Sequence, residues 1–168
     1  MRYASIRDLD ISNGEGVGVA LFVQGCPFHC HNCFNPETWD LNGGKEWTED
    51  VENQFMKLVQ KPHIKRISIL GGEPLLSQNR HKIFLLCQCI KETYPHKKIW
   101  LYSGYTYEQI IGSREMSKVL YYTDVLVDGP YIEEQRDITL AFRGSKNQRL
   151  IDVTETLKQN KIVTLQID

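Results

Sequence analysis

The sequence predicts an α/β fold, a partial, open (βα) barrel whose mainly parallel sheet has about five or six strands. Three observations carry this expectation. Short apolar runs recur along the chain, each ends at a glycine-containing turn, and amphipathic helical segments separate them.

The runs at 17–23 (VGVALFV) and 64–70 (IKRISIL) end at Gly25 and at Gly71-Gly72 and read as buried strands. Residues 98–102 (KIWLY) end at Ser103-Gly104 and 124–128 (DVLVD) at Gly129-Pro130, repeating the pattern; 162–167 is expected to be the last strand. Between the first two runs, Val51, Phe55, Leu58 and Val59 share a helical face behind a Thr48 cap. Ile83, Leu86, Cys87, Ile90 and Tyr94 do the same before Pro95. Thr106 to Gln109 has capping-box spacing for a short helix. Alternating strands and helices imply parallel strands joined by right-handed crossovers. Ligands then bind beyond the carboxyl ends of the strands, where the four glycine-containing loops converge. With so few strands an eight-stranded barrel cannot close, so an open mouth is expected.

The chain has 168 residues and a net charge of −1, with no composition shift or linker, so one domain spanning 1–168 is expected. That charge balance argues against nucleic acid or an anionic membrane as partner. The opening residues lack an apolar run behind their charges, and no stretch approaches the roughly 18 apolar residues of a membrane span, which predicts a cytosolic protein. Five cysteines, three of them within residues 26–33, fit metal binding in a reducing compartment better than a disulfide framework.

Cys26, Cys30 and Cys33 put three thiolates on one strand-following loop. Thiolates favour iron–sulfur clusters or zinc, and a cubane with only three protein ligands leaves one iron free for chemistry. A structural zinc with His29 or His31 as fourth ligand stays open on the loop alone, and would make the chain a zinc-stabilised binding module. Against it, no second ligand-bearing half occurs in the chain. Cys87 falls on an apolar helix face and reads as core; Cys89 reads as a bystander.

The C-x3-C-x2-C spacing at 26–33 together with Gly71-Gly72-Glu73-Pro74 resembles radical S-adenosylmethionine enzymes, and their glycyl-radical activase branch most closely. Trp39 and the segments 102–106 (YSGYT), 124–130 (DVLVDGP) and 142–149 (FRGSKNQR) extend the resemblance over nearly the whole chain. The last two segments are similar to those of activases whose protein substrate is anaerobic ribonucleoside-triphosphate reductase. Activases of other glycyl-radical enzymes, such as pyruvate formate-lyase, are the alternative, though they tend to be longer and lack the Arg-Gly-Ser element.

The resemblance implies that Cys26, Cys30 and Cys33 ligate a [4Fe-4S] cluster whose free iron takes the amino and carboxylate groups of S-adenosylmethionine. Reductive cleavage would leave methionine and a 5′-deoxyadenosyl radical, which removes a Cα hydrogen from a glycine of the reductase. A low-potential donor such as reduced flavodoxin is implied. Gly71 and Gly72 let backbone carbonyls approach the ammonium group, and Glu73 can accept from it; otherwise the segment is an ordinary turn fixed by Pro74. Asn32 and Phe34, flanking Cys33, are placed for adenine; many family members have an aromatic residue where this chain has Asn32. Ser103 and Asp128 end strands and reach the methionine or ribose end, or serve as caps. Arg143, Asn147, Gln148 and Arg149 suit docking of a partner loop, or form a solvated turn.

Overall fold

The computed structural model describes residues 1–167. Seven strands form one sheet: β1 (Arg2–Asp10), β2 (Gly18–Val23), β3 (Lys45–Glu46), β4 (Arg66–Gly71), β5 (Lys98–Ser103), β6 (Val125–Asp128) and β7 (Arg149–Asp152). Their order is β3-β1-β2-β4-β5-β6-β7. The centre, β2-β4-β5-β6, is parallel as expected. The flanks are antiparallel, with β1 on β2, β3 on β1 and β7 on β6. The sheet is therefore mixed and wider than the five or six strands expected. It is also open, since β3 and β7 stand at opposite ends of the order.

The central strands are legible because most of their residues are apolar, and every residue of β2 is buried. β1 carries no such signal. Its only buried residue is Asp10, because it lies near the edge and keeps most side chains in or near solvent. β7 offers only Leu150 and Ile151 to the core. The strand expected at 162–167 does not form. Thr164 makes one isolated bridge to Ile151, and amides of Asp152 and Leu165 bond across at 2.9 and 2.8 Å. Leu165 and Ile167 still pack beside Trp100 and Leu150, so the apolar residues of the segment are spent on packing without a ladder.

The helices α1 (Glu49–Val59), α2 (Arg80–Thr93), α3 (Tyr107–Ile111), α4 (Arg114–Ser117) and α5 (Val153–Gln159) follow the sequence reading where it made one. Thr48 caps α1, and Thr106 with Gln109 completes a capping box on α3. Phe55, Ile83, Leu86, Cys87, Ile90, Ile110 and Val153 all pack into one cluster with the odd-numbered residues of β2 and β4. Helices thus cover a single face of the sheet. The other face carries Ala20, Phe22, Leu70, Trp100, Tyr102, Val125, Val127 and Leu150, and among the described residues no α-helix contributes to these clusters. No helix among the described residues is long and apolar enough to cross a membrane.

That second face is organised at one end by Arg66, 1% exposed at the start of β4. Its guanidinium pairs with the Asp10 carboxylate at 2.9 Å and donates to the carbonyls of Asp10, Asn13, Glu15 and Gly16 at 2.8 to 3.3 Å. One side chain thereby fixes the 10–17 connection between β1 and β2, which has little apolar content of its own. Removing one partner of a buried ion pair strands the other charge, at a cost of about 3–5 kcal/mol. Arg66→Met should lose stability on that scale by chemical denaturation; a loss below about 1 kcal/mol would mean that Asp10 finds water instead.

Candidate active site

The loop after β2 is closed at its base before it carries any chemistry. The amides of Gly25 and Cys26 donate to the carbonyls of Thr38 and Trp39 at 2.8 and 3.2 Å. The buried Gln24 amide donates to the carbonyls of Glu37 and Asp40 at 3.0 and 2.8 Å. Within the loop, His29 and Asn32 adopt left-handed backbone conformations (φ 46° and 55°), each just before a cysteine. This coils the chain tightly enough that Cys26, Cys30 and Cys33 all line one cavity of about 610 Å³ on the helix-free face.

The floor of the cavity is that face, through Phe22, Leu70, Tyr102 and Val127; Gly71, Gly72, Glu73 and Ser103 line it as well. The strand-end loops expected to converge therefore do so. Two glycines are required where β4 turns. A Cβ on Gly71, whose φ is +97°, would fall 2.9 Å from the Phe22 Cα, and one on Gly72 would fall 2.5 Å from the Gly25 carbonyl oxygen.

Glu73 is the junction of three loops. Its amide donates to the Gly25 carbonyl at 2.8 Å, which ties it to the cysteine loop. Its carboxylate accepts from the Leu75 amide (2.8 Å), the Ser103 hydroxyl (2.9 Å) and the Gly104 amide (2.8 Å). Asn79 fastens the same corner, donating to the carbonyls of Gln24 and Glu73. The carboxylate is 1% exposed and faces no cation at hydrogen-bond distance among the described residues. Burial raises its pKa from the ordinary 4.5 to about 7, against the opposing pull of its three hydrogen bonds.

The remaining site residues divide sharply. Phe34 lines the cavity, its ring 5.0 Å from that of Tyr131. Asn32 is exposed and outside the cavity lining. Asp128 is buried and accepts from the Tyr107 amide at 2.7 Å, holding the start of α3, while pairing with Arg149. Arg149 also holds Glu108, whose pKa falls to about 2. Gln148 donates to the Gly129 carbonyl and accepts from the amides of Gly144 and Ser145, and Asn147 donates to the Pro130 carbonyl. Arg143 also lines the cavity, and its buried Nε has no hydrogen-bond partner among the described residues. Phe28, Tyr102, Asn13 and Arg136 are lining residues that the sequence reading passed over. Asn13 lay in a Ser-Asn-Gly turn, and Phe28 sits inside the cysteine loop itself, so both had a local signal.

The donor set suits a cluster better than a single ion. Zinc gathers its thiolates within about 2.3 Å of one point, and no group of three His, Cys, Asp or Glu side chains is so arranged among the described residues. A cluster of four irons spreads its corners further apart. Neither histidine completes a zinc site: His29 stacks on Trp39 at 4.6 Å, His31 is exposed, and neither lines the cavity. The Asn35 amide donates to the Cys33 sulfur at 3.4 Å. Burial, with Glu73 nearby, pushes the Cys26 thiol up to about 11, so metal must displace its proton.

Residues 12–151 match the family model described as a 4Fe-4S single cluster domain. The chain is also 39% identical over 150 residues to the anaerobic ribonucleoside-triphosphate reductase-activating protein of Vibrio cholerae, covering 88% of this chain and 96% of that relative. The chain belongs to this family. The protein of the same name from Enterobacteria phage T4 is 37% identical over 155 residues, covering 92% of this chain and 96% of the phage protein. That from Escherichia coli K12 is 37% identical over 150 residues, with 88% and 96% covered. The region matched by the family model includes all three loop cysteines and the Glu73 junction.

Glu73 gives a pH prediction for the metal-free protein. Its pKa is about 7 folded and 4.5 as the ordinary unfolded value, so between these the folded state holds a proton that the unfolded chain has released. Its contribution is fully present below about pH 4.5 and is lost as pH rises through about 7. Glu73→Gln should remove this slope. It should also lower stability by about 1–3 kcal/mol at acidic pH, because an amide NH2 would face the Gly104 or Ser103 donor. Denaturation at about pH 5 and about pH 8, on either side of the folded pKa, tests this, and an unchanged slope in the variant would refute it.

Proposed function

We propose that this chain is a radical S-adenosylmethionine activase that generates a glycyl radical on anaerobic ribonucleoside-triphosphate reductase. The observation that supports it most directly is the meeting of Cys26, Cys30 and Cys33 with Gly71, Gly72 and Glu73 around one open cavity. Three thiolates would hold three irons of a [4Fe-4S] cluster and leave the fourth to S-adenosylmethionine. Bound and reduced, the cluster would supply one electron to the sulfonium, whose bond to C5′ would break to leave methionine and a 5′-deoxyadenosyl radical able to take the Cα hydrogen of the partner's glycine.

The protein's own role is to position and to shield. Gly71 and Gly72 bring backbone close to the cavity, and their carbonyls with Glu73 are the acceptors available for an ammonium group. Phe34 offers a ring face for adenine, while Asn32 acts through the bend it gives the loop. Ser103, held by Glu73 and by the Tyr105 amide, fixes the rim beside the methionine or ribose end. Phe22, Leu70 and Tyr102 make a floor of largely apolar atoms with no readily abstracted polar hydrogen except the Tyr102 hydroxyl, which is bonded to the Phe142 carbonyl at 3.0 Å. Among the described residues no α-helix packs on this face, which leaves room for a loop of another protein. We read residues 1–168 as one domain acting in the cytosol, with a low-potential donor such as reduced flavodoxin.

Purified anaerobically, the protein should carry iron and sulfide. With reductant, S-adenosylmethionine and the reductase, it should give the electron paramagnetic resonance signal of a glycyl radical. A colourless, zinc-loaded protein would overturn the reading. Alanine at Cys26, Cys30 or Cys33 should each abolish 5′-deoxyadenosine formation. Cys87→Ala, in the core on the opposite face, should retain it, with a stability loss of no more than about 1–2 kcal/mol.

A further inference from the structure

Between β6 and β7 the chain runs out and back as a finger over residues 135–146. The Lys146 amide donates to the Gln135 carbonyl at 2.9 Å, Arg136 and Ser145 form an antiparallel bridge, and the Asp137 amide donates to the Gly144 carbonyl at 3.1 Å. The tip is fixed from both sides. The Asp137 carboxylate accepts from the Thr139 amide and hydroxyl at 3.0 and 2.6 Å, and the Leu140 amide donates to the Asp137 carbonyl at 3.4 Å. On the returning side the Phe142 ring packs edge-on against Trp100 at 5.3 Å, and its carbonyl accepts from the Tyr102 hydroxyl at 3.0 Å.

Ile138 stands at this tip and is 85% exposed, more than any other large hydrophobic side chain among the described residues. A lone exposed apolar residue needs no explanation. Ile138 is not alone, because it lines the cavity that the three cysteines share, and the exposed Phe34 ring lines it too. Phe34 lies against Gly144, on the rung of the finger next to Ile138. On the 10–17 connection, exposed Ile11 directly precedes Ser12, a further lining residue.

The fold thus stiffens a segment without burying its apolar side chain. A side chain held in this way loses little conformational freedom on binding, which suits it to anchor a partner. A small ligand seated inside the cavity would leave Ile138 in water, whereas a chain segment entering the cavity has to pass it. We propose that Ile138 anchors the glycine-bearing segment of the partner protein, through an apolar side chain that this segment carries close to its glycine. The assignment rests on the activase reading, which brings such a segment to the cavity, and it adds the contact that selects the segment.

The test separates cofactor cleavage from radical transfer. Cluster-reconstituted wild type, Ile138→Asp, Ile138→Leu and Tyr121→Ser are compared, with iron content and thermal unfolding checked for each. Tyr121 is exposed as well, but it belongs to the helix-covered side, where its neighbour Tyr122 packs on Phe84. The 5′-deoxyadenosine formed with reductant and S-adenosylmethionine alone reads the cavity. The glycyl-radical signal over a range of concentrations of anaerobic ribonucleoside-triphosphate reductase reads docking. Ile138→Asp should leave cleavage within about two-fold of wild type, as an exposed substitution does. It should raise the reductase concentration for half-maximal radical by roughly ten- to thirty-fold, the loss expected of an interface anchor. Ile138→Leu and Tyr121→Ser should stay within about three-fold of wild type in both readouts.

Transfer by Ile138→Asp at the wild-type reductase concentration would overturn the assignment. So would a matching loss of cleavage, which would place Ile138 in the cofactor site. Conversion of a dimer to a monomer in sedimentation, with transfer unchanged, would make a second copy of this chain the occupant and overturn it equally. Failure of the activase reading shows in wild type, as absent 5′-deoxyadenosine or absent radical, and takes the assignment with it; failure of the assignment alone shows only in the variant.

Discussion

The arrangement of the site depends on a buried carboxylate. Glu73 ties the loop after β2, through Gly25, to the loop after β5, through Ser103 and Gly104, and its own backbone is the turn after β4. Three strand ends that are far apart in sequence are thereby fixed relative to one another. Its three donors are neutral, so the group gains hydrogen bonds without a full counter-charge and its proton is held more tightly than in water. At the end of β6, two strands along from β4, Asp128 does the equivalent for the next pair of elements, joining α3 to β7 through the Tyr107 amide and Arg149. The rim of the cavity is held by two acidic residues facing inward from the sheet, which leaves the lining free for ligands.

The sheet explains why the cavity can exist at all. Parallel strands need crossovers, and here the helices land on the same face. The opposite face cannot bury itself against helices and is covered instead by loops: residues 10–17, hung on Arg66, and residues 129–148, pinned by Gln148 and Asn147. Loops cover less than helices do, and they leave a cavity of about 610 Å³ above an apolar floor. An aromatic and cationic clasp of Phe34, Tyr131 and Arg136 joins the second loop to the cysteine loop. The cysteines and the segment bearing Arg143 are therefore one mechanical unit, although a long stretch of chain, including four strands of the sheet, separates them.

What could be read from the sequence was whatever was locally dense. The three cysteines, the paired glycines before Glu73, the apolar central strands and the Thr48 and Thr106 caps each announce themselves within a few residues. β1 and β7 did not, because a strand near an edge needs few apolar side chains and takes its stability from neighbours already in place. Asp128 and Arg149 could be read equally well as ligand contacts or as caps and turn residues, since their partnership spans 21 positions and only the antiparallel register of β6 and β7 brings them together. The 162–167 segment forms no strand for the opposite reason: its apolar residues are real, but Leu165 and Ile167 serve packing on the cluster that holds Trp100 rather than pairing along an edge.

The cysteine loop itself ends the chain of causes. For Cys30 and Cys33 to share a cavity with Cys26, the backbone must turn sharply within a short loop, and it does so at His29 and Asn32. Left-handed backbone disfavours most side chains, but asparagine and histidine are several-fold enriched there. Asn32, exposed and outside the cavity lining, suits the bend by its residue type. Phe34, just past Cys33, packs against Tyr131 and Gly144 and so clasps the loop carrying Arg143. The residue types between the cysteines thus set the loop's shape, while the cysteines and the residues beyond them supply its chemistry.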